Sequence, residues 1–187
     1  MKNVLIISGH PDLKKSLANK TILDELAKKL PQAEIRKLDE LYPDYQIDVK
    51  AEQAALLKAD IIVFQYPTHW YSVPALLKVY IDKVMEHSWA YGSKGNALKG
   101  KFFIASTTVG GPGEAYQHDG IVGYTMDEFS AFLKRYTITC KMEFKKLFCT
   151  FKANYIPKVY PEERYTEVVT NCKSTLTRWR NSFWLCD

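Results

Sequence analysis

The chain has 187 residues, 47% of them hydrophobic, and four cysteines with no C-x-x-C spacing, which is enough apolar material for a core without disulfide, zinc or other metal staples. Its net charge of +5 is unevenly spread: residues 1–140 hold 17 Lys+Arg against 16 Asp+Glu, and residues 141–187 hold 9 against 5, with no basic run interleaved with aromatics, which argues against nucleic-acid binding. No stretch approaches the ~18 apolar residues of a membrane span, and the run 4–7 is too short for a secretory segment, so one cytoplasmic domain over 1–187 without membrane insertion is expected.

Residues 4–7 form a continuous apolar run, the mark of a strand buried on both faces, and Ile22, Leu23, Leu26, Ala27 and Leu30 then recur at helical spacing before Pro31. Residues 34–38 read as a weaker strand. A polar connection through Tyr42-Pro43-Asp44 leads to a helix from Asp48, its N-cap, to Lys58. Residues 60–64 are the next buried strand. Beyond a loop over 65–72, Leu76, Leu77, Tyr80, Ile81, Val84 and Met85 form the apolar stripe of a helix with Pro74 in its first turn. Residues 86–101 read as loop, 102–106 as strand and 110–113 as a glycine-rich turn. Thr125-Met126-Asp127-Glu128 is a capping box that opens a helix with Phe129, Phe132 and Leu133 turned inward. Strand character returns over 137–151, and a last helix occupies part of 162–180. This alternation implies an α/β fold with a five-stranded parallel sheet, strand order 2-1-3-4-5, and helices on both faces.

In such a sheet ligands bind beyond the carboxyl ends of the strands at the switch point between strands 1 and 3. The loops after strands 1, 3 and 4 carry the unusual chemistry. The first has neither G-x-G-x-x-G nor a P-loop, yet Ser16, Leu17, Ala18 and Asn19 open a helix whose free N–H groups and dipole suit a phosphate; Ser16 also reads as a plain cap, and His10-Pro11 as a strand breaker. The second puts Trp70 and Tyr71 beside Pro67, Thr68 and His69, as a wall for a flat ring or as core and interface anchors. The third offers backbone N–H donors at Gly110 and Gly111, or a simple glycine turn.

At these residues the sequence resembles the flavodoxin-like NAD(P)H:quinone oxidoreductases, particularly a short bacterial branch that includes ancillary flavoproteins of glutathione-gated potassium efflux systems. The resemblance runs through His10-Pro11, Ser16-x-Ala18-Asn19, Leu41-Tyr42-Pro43-Asp44, Ala51-Glu52-Gln53, Gln65-Tyr66-Pro67, Trp70-Tyr71-Ser72-Val73-Pro74, Trp89-Ala90-Tyr91-Gly92 and Thr107-Thr108-Val109-Gly110-Gly111, covering about residues 3–142. It implies a flavin, FMN slightly favoured over FAD, reduced by NADPH or NADH and passing two electrons to a quinone in a ping-pong cycle. His10, Ser16, Ala18 and Asn19 would bind its phosphate, Pro67, Thr68, His69, Trp70 and Tyr71 its ring, and Thr108, Gly110, Gly111 and Tyr116 its pyrimidine side and the substrate. Tyr116 matches the tyrosine of a Tyr-His proton relay; Val122 stands where the histidine falls, and His118 lies nearby. The resemblance also implies a homodimer with sites at the subunit interface, and it leaves two other functions open: a regulatory partner of a transporter's cytosolic domain, and a flavodoxin-type electron carrier. After residue 140 the pattern weakens, with Lys141 where the family often has glycine and an atypical tail at 179–184.

Overall fold

Val4, Leu5, Ile6 and Ile7 are all buried, and the structure, a computed structural model that describes residues 2–181, gives the reason: they form the core of β1 (Val4–Ser8), a central strand covered on both faces. The sheet continues with β2 (Glu34–Lys37), β3 (Ile61–Pro67), β4 (Phe102–Thr108) and β5 (Glu143–Thr150), all parallel, in the order β2-β1-β3-β4-β5. The helices are α1 (Leu17–Lys29), α2 (Leu38–Leu41), α3 (Val49–Lys58), α4 (Ala75–Val84), α5 (Met126–Phe129), α6 (Ala131–Thr139) and α7 (Glu162–Asn181), with single 3₁₀ turns at Leu13–Lys15 and Gly113–Ala115. Successive strand residues point to opposite faces. Leu5, Ile7, Ile62, Phe64 and Phe103 therefore pack with Leu56, Leu76, Leu77, Tyr80 and Leu133 of α3, α4 and α6, whereas Val4, Ile6, Ile61, Val63 and Ile104 pack with Ile22, Leu26, Val168 and Leu176 of α1 and α7. Among the described residues no helix is long and apolar enough to cross a membrane.

Several boundaries differ from the sequence-based expectation. Gln65, Tyr66 and Pro67 extend β3, in register with Ser106, Thr107 and Thr108 of an equally extended β4. Leu38 ends no strand; it starts α2. Thr137–Thr139 stay helical, with the Thr137 hydroxyl donating to the Lys134 carbonyl at 2.7 Å, so β5 begins only at Glu143. Of the three side chains expected inside, Leu133 is buried and Phe132 is exposed. At Lys141 the chain adopts φ +58°, the left-handed bend that suits glycine. The lysine keeps it by donating from Nζ to the carbonyls of Gly92 (3.1 Å) and Gly95 (2.8 Å) and to Asn96 Oδ1 (2.8 Å). Burial pushes the Cys140 thiol up to about 11 and those of Cys149 and Cys172 to about 12, so these are inert structural thiols. Cys186 and the tail from Ser182 lie outside the described residues.

Gly9 marks where β1 leaves the sheet, its N–H still donating to the Gln65 carbonyl at 2.8 Å. A Cβ there would lie 2.6 Å from Leu77 Cδ2 and 2.8 Å from Leu77 Cβ. Gly9→Ala is expected to lower stability by about 1–3 kcal/mol, the usual cost of overpacking, measured as a shift of the urea midpoint. An unshifted midpoint would mean that α4 yields freely at this contact.

Candidate functional site

The carboxyl ends of β1, β3 and β4 meet the start of α1. Ser16 caps this helix, its Oγ accepting the Asn19 N–H at 3.1 Å, which leaves the N–H groups of Leu17 and Ala18 without intrahelical partners at the positive end of the dipole. Asn19 is 2% exposed and its amide is fully engaged: Nδ2 donates to Ser16 Oγ (3.2 Å) and Thr108 Oγ1 (2.9 Å), and Oδ1 accepts from Gln65 Nε2 (2.9 Å). Gln65 lies in register between Ser8 and Ser106. Ser8 Oγ, Gln65 Oε1 and Ser106 Oγ are buried without a partner among the described residues. A polar bed therefore underlies the helix start, at the ends of strands whose preceding residues, Val4–Ile7 of β1 and Ile61–Phe64 of β3, are apolar.

His10 follows β1. Its Nδ1 accepts the Asp12 N–H at 3.0 Å, which places the ring proton of the neutral imidazole on Nε2. Burial first, and then the neighbouring His69, hold His10 below the ordinary imidazole value; burial does the same to His69. The two ring centroids are 6.4 Å apart. His69 opens a tight turn closed by reciprocal 3.0 Å bonds with the Ser72 backbone, whose tip residues Trp70 and Tyr71 both have positive φ (47° and 62°). Non-glycine residues pay roughly 1–2 kcal/mol each for that conformation, and such strain collects at functional sites. Trp70 is 94% exposed.

The third loop is braced by the Thr68 N–H donating to the Thr108 carbonyl (2.8 Å) and by Lys152 and Ala153 donating to the carbonyls of Gly111 and Val109 (both 2.9 Å). The N–H groups of Gly110 and Gly111 have no protein acceptor among the described residues. Tyr116 lies against Gly111, where a Cβ would come within 3.2 Å of its ring. It belongs to an aromatic group in which Tyr71 stacks on Phe129 at 4.8 Å, and Tyr116 stands edge-on to Phe129 at 6.4 Å and tilted to Phe151 at 5.8 Å. Burial, and secondarily Tyr71, raise the Tyr116 hydroxyl above its ordinary value. His118 is turned toward Glu128, 3.8 Å away, and Val122 serves the loop through its backbone, donating to Ala115 at 3.1 Å.

A cleft of about 230 Å³ opens between the start of α1, the second loop and the end of β4. It brings together His10, Ser16, Ala18, Asn19, Pro67, Thr68, His69, Thr108 and Gly110; Trp70, Tyr71, Gly111 and Tyr116 are not among its lining residues. It also has a wall that the sequence reading missed, namely Lys15 and the β5–α7 connection at Ala153, Asn154, Tyr155 and Ile156. Asn154 is held there by Arg164, whose Nη2 donates to its Oδ1 and whose Nε donates to its carbonyl at 3.2 Å. The missed signal was topological, since β5 is a neighbour of β4 and its carboxyl end opens on the same side of the sheet.

The donor set fits a flavin mononucleotide in chemical terms. Free helix N–H groups, a serine hydroxyl, an imidazole Nε2–H and Lys15 suit a phosphate; the hydroxyl of Thr68, bonded to Thr107 at 2.8 Å, suits a polyol chain; and unpaired glycine N–H groups beside aromatics suit the polar edge of a flat ring.

A model of the family Flavodoxin_2, described as flavodoxin-like fold, matches residues 2–169. Over 113 residues, 60% of this chain, the sequence is 56% identical to the glutathione-regulated potassium-efflux system ancillary protein KefF of Enterobacter sp. (strain 638), a match that spans 63% of that relative's length. Among solved structures the chain is similar to general stress protein 14 of Treponema denticola in complex with FMN, with a TM-score of 0.85, 29% identity, and coverage of 97% of this chain and 99% of that one. It has the fold of a P. pentosaceus protein described as an NADPH-quinone reductase, with a TM-score of 0.72, 24% identity, and coverage of 94% and 98%.

Proposed function

Because this chain belongs to the Flavodoxin_2 family, of flavodoxin-like fold, we propose that it is a cytosolic FMN-dependent oxidoreductase that takes electrons from NADPH or NADH and passes them in pairs to a quinone. The observation that carries this reading is the convergence, in one cleft, of the free α1 N-terminus, His10 and the unpaired glycine N–H of Gly110. The similarity to an FMN-bound protein over nearly the whole chain supports the cofactor. Bound flavin supplies the hydride chemistry; the rest is work for the protein's own groups. The α1 N-terminus and Ser16 hold the phosphate, Thr68 and Thr108 order the polyol, and Gly110 and Gly111 donate to the ring edge that becomes electron-rich. Trp70 and Tyr71 confine the acceptor. Trp70, almost bare on one protomer, is covered in a homodimer.

Tyr116 is the proton donor to the reduced acceptor. Its raised value keeps the hydroxyl protonated throughout the neutral range, so Tyr116→Phe is expected to cut quinone turnover about 10²-fold, the lower end for loss of a general acid, with FMN still bound. Unchanged turnover would remove Tyr116 from the mechanism. The broader test is the visible spectrum of the purified protein, then NADPH and NADH oxidation with menadione. A colourless protein that neither FMN nor FAD reconstitutes would overturn the reading.

A second reading rests on the 56% identity to a potassium-efflux ancillary protein: the chain docks on the cytosolic domain of a transporter and regulates it. Substitutions in the cleft that abolish reductase turnover yet leave ion efflux gating intact would favour this reading over the first.

A further inference from the structure

Two histidines share the cleft, and they are not equivalent. The Asp12 N–H points at His10 Nδ1 from 3.0 Å, so a proton added to that nitrogen would face another N–H and lose the bond. His10 is thereby held neutral, a donor through Nε2 only. His69 has no such constraint. It lines the same cleft, its ring centroid is 6.4 Å from that of His10 at an interplanar angle of 72°, and neither of its ring nitrogens has a hydrogen-bond partner among the described residues. Its backbone is pinned by the two bonds to Ser72, which fixes the origin of the ring on the cleft wall. Asp39 and Asp12 act on His10, raising it against burial, whereas burial alone acts on His69. Lys15 is paired with Asp12 at 2.7 Å, Asp39 accepts the Leu13 N–H at 2.7 Å, and Tyr155 lines the same cleft.

We propose that His69 takes up one proton from solvent when the phosphate monoester of the cofactor binds, so that the cleft selects a phosphorylated flavin over an unphosphorylated one, and does so more strongly as the pH falls. This rests on the FMN reading above. In the free protein burial disfavours the His69 cation and holds the imidazole below its ordinary value. A phosphate dianion reverses the balance: the imidazolium becomes a charge-assisted donor to an anion in a partly dehydrated cleft. The sign follows by linkage. Binding raises the affinity of His69 for a proton, so lower pH strengthens phosphate binding; the gain is full below the free-state value and is lost as pH rises through the higher bound-state value.

The test is the dissociation constant of FMN and of riboflavin, by quenching of flavin fluorescence, between pH 6.5 and 8.5, a window above the second ionisation of a phosphate monoester near 6. FMN is expected to bind about tenfold more weakly at pH 8.5 than at pH 6.5, which is one unit of linkage, while riboflavin shows no slope. Calorimetry at pH 7.5 in two buffers of different ionisation enthalpy should report net proton uptake with FMN and none with riboflavin. His69→Gln, which keeps a donor but cannot ionise, should still bind FMN and lose the slope. In the parent protein, which does not depend on a variant folding, the His69 ring nitrogens should move to the imidazolium position in ¹⁵N spectra when FMN is added at pH 7. A slope retained in His69→Gln, or a His69 that stays neutral in the complex, overturns the assignment while leaving the FMN reading intact. Absence of FMN binding at every pH overturns both.

Discussion

Glu52→Ala is expected to destabilise the protein by about 3–5 kcal/mol, the range for removing one partner of a buried ion pair. The Glu52 side chain on α3 is fully buried and is enclosed by polar partners: Arg36 on β2 donates from Nε to both carboxylate oxygens (2.9 and 2.8 Å) and from Nη2 to Oε1 (2.6 Å), and the Tyr42 hydroxyl donates to Oε1. Bonding to Glu52 raises the Arg36 guanidinium above its already high value. Burial first, and the carboxylate second, push Tyr42 up to about 12. Removing the carboxylate leaves a guanidinium whose side chain is only 19% exposed with Glu34, 3.0 Å from its Nη1, as the remaining carboxylate partner, on an edge strand of four residues that has little apolar surface of its own to hold it. Urea denaturation measures the loss. The double variant Arg36→Met, Glu52→Leu should recover much of it, because two buried charges are then removed together. A loss below 1 kcal/mol for the single variant would show that water reaches the pair and that β2 is held by other contacts.

Asn19→Ala is expected to cost about 2–6 kcal/mol of stability and at least tenfold in FMN affinity. The stability figure follows from two buried groups losing their partner, Gln65 Nε2 and Thr108 Oγ1, at about 1–3 kcal/mol for each unsatisfied group, in a bed where Ser8, Gln65 and Ser106 already have unpartnered atoms. The affinity loss follows because Asn19 ties the first turn of α1 to β4, and a small misplacement of the N–H donors weakens every bond to the phosphate. Asn19→Asp separates the two effects. The carboxylate is nearly isosteric but cannot donate to Ser16 or Thr108, and it puts a negative charge under an anion site, so its FMN affinity should fall further than that of the alanine variant. Equal affinities for the two variants would mean that the phosphate lies elsewhere.

Both predictions concern residues whose importance is only partly visible along the chain. Asn19 was legible as a site residue from its place at a helix start, but its side chain works inward, and its partners Gln65 and Thr108 lie 46 and 89 positions away. No local pattern encodes such a bond. Glu52 sits in the recognisable Ala51-Glu52-Gln53 block, yet on a helix a glutamate reads as solvated until the strand supplying Arg36 is folded beside it. Trp70 and Tyr71 were legible as unusual, and their left-handed backbone was not, because φ there is imposed by the Ser72 closure and not by residue preference. Phe132 was misjudged for a related reason: a helical stripe defines a face, but the width of that face depends on how the helix is rolled against the sheet.

Local chemistry sufficed where one stretch of chain carries its own explanation. The unbroken apolar runs demanded strands covered on both sides, the Ser16, Asp48 and Thr125 caps start helices where their side chains accept backbone N–H groups, and the alternation of strand and helix dictated a parallel sheet whose first, third and fourth loops converge. Tertiary structure decided what depends on separate segments meeting: the extension of β3 through Gln65 and Pro67, the polar bed beneath α1, the β5–α7 wall with Asn154, and the meeting of His10 with His69. The physical reason is that apolar burial depends largely on composition and period, which a sequence displays, whereas the state of a buried polar or ionisable group depends on its particular partners, and these are supplied only by the completed fold.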